Sequence, residues 1–250
     1  MVAVGAAEAR PFFFGRGPTG VLLVHGITAT PFTVREMGER LAGAGFTVSA
    51  PLLAGHGTSW RDLERTRWQD WYASVEKAYE ELARRCRKVV AMGISMGGAQ
   101  VLHLAAHRPD LAGIVAMAPA LYMTDWRIPF LPVIRRVLRT VPGVSGLIAD
   151  PEAPGEPAYE VTPTRSLAEL VAFQRHLRDE LALVRCPALF AHGARDPLVH
   201  PGNSRLAYAR VSSRRKRLLV LPHSSHVVTM DLDRERLFRE AADFARSLAA

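Results

Sequence analysis

Short runs of β-branched and apolar residues alternate along this chain with longer stretches whose apolar positions recur at helical spacing. The short runs predict strands at 20–25, 46–50, 89–93, 113–118, 188–192 and 217–221, and residues 12–14 (Phe-Phe-Phe) predict one more at the N-terminal side. The longer stretches predict helices at 31–44, 67–84, 96–107, 202–210 and 234–249. Strands that are apolar throughout, each followed by a helix, imply a mostly parallel sheet covered on both faces. The expected class is therefore α/β, with about seven strands. Right-handed crossovers then bring the C-terminal ends of the parallel strands to one edge, where loops can assemble a site.

One connection breaks the rhythm. Between Leu121 and Arg185 the chain spends far more residues than the dozen or so that a crossover requires. This segment holds Tyr122, Trp126 and Phe130, an apolar helical pattern at 132–141, a stretch punctuated by Pro151, Pro154, Pro157 and Pro163, and a helix at 166–183. It leaves at the C-terminal edge, so it is expected to lie over that edge as a cap. The division expected is a core of 1–120 and 186–250 with a cap at 121–185. The plainer alternative is an extra helical pair packed on the core.

Composition narrows the classes of function. The net charge of +8 invites a nucleic-acid reading. Yet the basic residues are dispersed, apart from Arg84, Arg85, Arg87 and Lys88 and the run Arg214-Arg215-Lys216-Arg217. Both clusters precede strands and so fall on the edge opposite the loops; no nucleic-acid partner is expected. No run of eighteen apolar residues occurs, so no stable membrane insertion is expected. Residues 1–14 lack a cationic segment followed by an apolar one, and Cys86 and Cys186 cannot make a disulfide framework. The expected compartment is cytoplasmic, and the expected state is a monomer or weak homodimer.

The chemistry sits in Gly93-Ile94-Ser95-Met96-Gly97-Gly98, placed between a predicted strand and a predicted helix. A Gly-x-Ser-x-Gly sequence there forces a sharp turn that lifts the serine oxygen clear of the sheet. A serine hydroxyl needs a base, and the base needs an acid to fix its tautomer. Asp196 follows the strand at 188–192, and His226 follows the last strand, giving the chain order serine, acid, histidine. His223 is the rival base, but it abuts the strand end and leaves less loop for reaching back. Two backbone N–H groups are expected to hold an oxyanion: Met96, which opens its helix, and Ile27, in His25-Gly26-Ile27-Thr28 after the first long strand. His25 is expected to pack beneath that loop, and His56 in Gly55-His56-Gly57 either lines the pocket or shapes its own loop. His103, His107, His176, His192 and His200 show no partner signal in the sequence. No cofactor and no metal are expected.

These segments, with Leu23–Pro31, Pro51–Thr58, Asp196-Pro197-Leu198-Val199 and Ser224–Thr229, resemble the α/β-hydrolases of the small bacterial carboxylesterase and monoacylglycerol lipase group. The resemblance runs from about residue 20 to 248 and is thinnest in the cap, where only 158–163 carry it. It implies Ser95 as nucleophile, His226 as base and acid, Asp196 as its orienting group, and Ile27 and Met96 as oxyanion donors. It implies further an ester substrate with a hydrophobic acyl chain of short to medium length, or a monoacylglycerol, turned over without metal or organic cofactor. A serine at the elbow separates the chain from dehalogenases and epoxide hydrolases of similar fold, which use aspartate there. The alternative from another class is a hydrolase-like receptor that binds a small molecule without turning it over.

Overall fold

The computed structural model describes residues 10–15, 17–144, 147–155 and 158–249. Pro157 and residues 1–9, part of the expectations above, lie outside the described residues. In chain order the strands are β1 (Phe12–Phe14), β2 (Thr19–Val24), β3 (Thr47–Ala50), β4 (Lys88–Ile94), β5 (Gly113–Met117), β6 (Thr140–Pro142), β7 (Val161–Pro163), β8 (Ala188–Gly193) and β9 (Lys216–Leu221). The helices are α1 (Arg35–Gly43), α2 (Trp60–Arg65), α3 (Trp68–Ala83), α4 (Met96–His107), α5 (Leu131–Val137), α6 (Thr164–Glu180), α7 (Gly202–Arg210) and α8 (Arg234–Ala249).

Seven strands form one sheet in the spatial order β1-β3-β2-β4-β5-β8-β9, parallel throughout except for β1, which runs antiparallel to β3. β2, β5 and β8 are buried at every position, as apolar strands covered on both faces must be. One face carries α1 and α8. The α8 stripe of Leu237, Phe238, Ala241, Ala242 and Ala245 recurs at helical spacing and closes that side of the core. The other face carries α3, α4 and α6, centred on Trp71 and Phe173. α4 is buried from Met96 through Ala105 because it lies between the sheet and α6, so it shows no polar face over that length.

The long crossover divides into two parts of different character. α6 inserts Leu170, Phe173 and Leu177 into the same apolar cluster as the strands. The stretch before it does not. Of α5 only Leu131 is buried, while Trp126, Phe130, Val133, Val137 and Leu138 are exposed. The helix expected at 132–141 stops at Val137 because Leu138 turns extended, and Thr140–Pro142 instead pair with Val161–Pro163 as a separate two-stranded sheet. α2 was not expected either: its single buried side chain, Leu63, is too little periodicity to read.

Candidate active site

Ser95 stands between β4 and α4 with φ 57° and ψ −121°, a left-handed conformation that L side chains rarely adopt. Such a residue costs on the order of 1–3 kcal/mol and persists only where its surroundings over-determine it. Here the Ser95 N–H donates to the Met117 carbonyl at 2.9 Å, while its own carbonyl accepts from Ala99 and Ala120, each at 3.1 Å. The flanking glycines are a steric necessity. A Cβ on Gly93 would lie 2.2 Å from the Gly97 carbonyl oxygen, and one on Gly97 would lie 2.2 Å from that of Val24. The turn exists because strand, helix and neighbouring strand meet at backbone distance.

Asp196 and His226 arrive from loops after β8 and β9 and meet at 2.7 Å between Oδ2 and the imidazole Nδ1. Both are buried. The carboxylate is saturated: Oδ1 accepts the Leu198 and Val199 N–H groups at 2.9 and 2.8 Å, and Oδ2 also lies 3.1 Å from His192 Nε2. Burial alone would raise the Asp196 carboxyl. The hydrogen bonds from His192 and His226, with that of Val199, outweigh it and hold the group far below the usual carboxylate range. His192 Nδ1 sits 2.6 Å from Ser204 Oγ, and its Nε2 sits 2.8 Å from the Val199 carbonyl. Nε2 thus faces two acceptors, the Asp196 carboxylate and the Val199 carbonyl, and serves as a donor to them. His223, the rival base, is exposed, and its backbone N–H binds Asp233 instead.

The His226 loop is pinned by a second buried carboxylate. Asp231 accepts the N–H groups of Ser225, Ala149 and Asp150 at 2.6, 3.0 and 2.9 Å. The Leu147 carbonyl in turn accepts from both His226 and Val227, at 3.0 and 2.9 Å. Part of the crossover is thus bonded directly to the loop that carries the imidazole. Gly193, the last residue of β8, makes room for it: a Cβ there would lie 1.9 Å from the Ser225 carbonyl oxygen.

Gly26 runs beside the serine, where an added Cβ would stand 3.3 Å from that of Ser95. This places the Ile27 peptide next to the elbow, and Thr28 beyond it adopts φ 62°. Met96 begins α4, so its N–H has no acceptor within the helix. Beneath the loop His25 accepts the Leu53 N–H at Nε2, at 3.2 Å, while Nδ1 contacts the Gly26 carbonyl at 2.8 Å. Burial, then the neighbouring His56, push His25 well below its ordinary value. Burial likewise lowers His56 to about 4, despite bonds to the Ala54 and Leu53 backbone. Both rings are neutral struts between the β2 and β3 loops, 5.1 Å apart and edge to face. Tyr159 ties the crossover to the same loops. Its N–H donates to Thr28, its hydroxyl donates to the Gly55 carbonyl at 2.9 Å, and that hydroxyl accepts from Thr58 at 3.0 Å.

Sequence reasoning missed His192, although its spacing of four from Asp196 at a strand end was available. It missed Asp231 for want of any motif. Cysteine offers no rival nucleophile: burial pushes both thiols up, that of Cys186 to about 12.

The chain matches the alpha/beta hydrolase family over residues 21–241. It is 38% identical over 243 residues to the thermostable monoacylglycerol lipase of Bacillus sp. (strain H-257), covering 94% of each chain. It is 27% identical over 240 residues to a carboxylesterase of Bacillus subtilis (strain 168), covering 96% of this chain and 97% of that one. A solved structure from LipS and LipT, two metagenome-derived lipolytic enzymes, superimposes with a TM-score of 0.93 at 33% identity, covering 96% of this chain and 98% of that one. With these relatives and the seven-stranded sheet, the chain belongs to the alpha/beta hydrolase family.

Proposed function

We propose that this protein hydrolyses carboxylic esters through an acyl-enzyme, with Ser95 as nucleophile, His226 as base and acid, and Asp196 as the group that orients and stabilises the imidazole. The observation that carries this reading is the Asp196–His226 pair at 2.7 Å on the edge where the strained Ser95 stands. Ser95 Oγ attacks the ester carbonyl carbon as His226 Nε2 takes its proton. The carbonyl π bond opens onto oxygen, and the N–H groups of Ile27 and Met96 hold that oxyanion. As the carbonyl re-forms, the C–O bond breaks, and the imidazolium gives its proton to the departing alcohol. Water, deprotonated by His226, then attacks the acyl-serine by the same route, releasing acid and restoring Ser95.

The part of the crossover at 121–142 fits the role of a lid, narrower than the segment at 121–185 expected from sequence, because α6 shares the core of the sheet and Leu147, Ala149 and Asp150 are bonded to the loop of His226 and Asp231. Its apolar side chains suit an ester with a hydrophobic acyl tail. The free cysteines suit a reducing compartment such as the cytoplasm. The second reading, a monoacylglycerol lipase, is favoured by the relative of that name, which is similar along 94% of both chains.

The test is Ser95→Ala assayed on p-nitrophenyl butyrate. The expected loss is on the order of 10⁶ in kcat, as for removal of a triad nucleophile, together with loss of fluorophosphonate labelling. Wild-type turnover by that variant would end the proposal. A series of monoacylglycerols set against p-nitrophenyl esters of matched acyl length separates the two substrate readings.

A further inference from the structure

About 12 Å along α4 from Ser95, two helical turns on, lies a second convergence of histidines on a carboxylate. His103 and His107 are one turn apart on α4; His176 and Glu180 are one turn apart on α6. At that spacing both members of each pair face the same side of their helix. The helices pack together, so all four side chains meet. Glu180 Oε2 is 2.6 Å from His103 Nδ1, and Oε1 is 2.9 Å from His107 Nε2 and 3.1 Å from His176 Nε2.

Two imidazoles and one carboxylate among these groups offer ligand atoms all within 4.8 Å of one another, those of His103, His176 and Glu180. The geometry points to a binding site for a divalent transition metal of the Zn²⁺ type, held by His103, His176 and Glu180 with a fourth position open. A tetrahedral ion with bonds of about 2.0–2.1 Å spaces its ligands about 3.4 Å apart. That spacing falls inside the observed limit of 4.8 Å, and the half-exposed His176 has solvent on one side into which its ring can adjust. Neutral imidazole can present either nitrogen as a lone pair, so the two histidines can ligate by a change of tautomer.

The surroundings are those of a held site. His107 contacts Glu180 from outside the three-ligand set and would orient it, as outer partners do at metal centres. Trp68 flanks both ligating rings, with centroids 5.8 Å from His103 and 5.3 Å from His176, and Phe173 packs on His103 at 5.6 Å. The buried Tyr72 hydroxyl has no hydrogen-bond partner among the described residues, and its ring lies 4.4 Å from that of His103. His103 is buried while His176 is half exposed, which gives a hydrated ion a way in. The ion would clip α4, the helix that starts at the serine elbow, to α6.

The experiment is titration of EDTA-stripped protein with Zn²⁺, followed by calorimetry and thermal unfolding. One ion per chain is expected, with Tm rising by about 5–10 °C at a hundredfold excess over Kd. His176→Ala, a change at a half-exposed position, is expected to weaken Kd at least about tenfold, the lower end of what loss of even an outer partner costs. His200→Ala, exposed and outside the cluster, is expected to leave Kd alone. Absence of stoichiometric binding would overturn the proposal. So would a Kd that His176→Ala does not move, because the ion would then sit elsewhere.

Discussion

One carboxylate gathers imidazoles at two places in this molecule, and the surroundings of each decide what it can do. Asp196 receives His226 at 2.7 Å and His192 at 3.1 Å; Glu180 receives His103, His107 and His176 at 2.6, 2.9 and 3.1 Å. The side-chain chemistry is nearly the same. Asp196, however, lies on a loop at the C-terminal edge of the sheet, an edge that also holds a strained serine and the first amide of α4, which has no acceptor within its helix. Glu180 ends a helix packed against another, with aromatic rings for neighbours. A histidine–carboxylate pair is thus no measure of hydrolytic competence. What sets the Asp196 pair apart is its place on the same sheet edge as a strained serine and the first amide of a helix.

The sharpest way to break this contrast is Asp196→Asn. An amide can hold the geometry but stabilises the wrong imidazole tautomer and no imidazolium, so kcat should fall on the order of 10⁴. A drop of less than about tenfold in steady-state ester hydrolysis would place the orienting role elsewhere.

Acid is the next lever. The unfolded chain binds a proton on His56 near pH 6.5, whereas the folded one does so only near 4. Stability should therefore fall as pH drops through that window, by about 3 kcal/mol from His56 alone, with His25 adding in the same direction. Thermal unfolding from pH 7 to 4 checks this, and a flat Tm would show that the struts are not neutral.

The smallest effect is expected at Glu180→Gln. The neutral amide loses the charge that three rings share and leaves a donor facing N–H groups, for a cost of about 1–3 kcal/mol. That loss belongs in the Tm of metal-free protein. An unchanged Tm would mean that the cluster holds nothing together without an ion.

What the sequence revealed follows the strength of its patterns. α4, α7 and α8 begin and end where their apolar spacing and flanking residues place them. The sheet was legible because its central strands are apolar on both faces. The pairing of β6 with β7 was not, since three-residue strands carry no period and proline ends each one. Ser95 announced itself through glycines that touch backbone. His192 and Glu180 did not, because their partners are set by how loops and helices dock. A four-residue spacing shows only that such groups share a side, not what they will face.

The pair of bonds from the Leu147 carbonyl to His226 and Val227, with Asp231 holding Ala149 and Asp150, has a mechanical consequence. Peeling this strip away would take the Ala149 and Asp150 N–H groups from the buried Asp231 and loosen the loop that carries the His226 ring. A lid formed by the stretch before this strip would have to hinge upstream of it, so lid and imidazole would share one fixed doorpost.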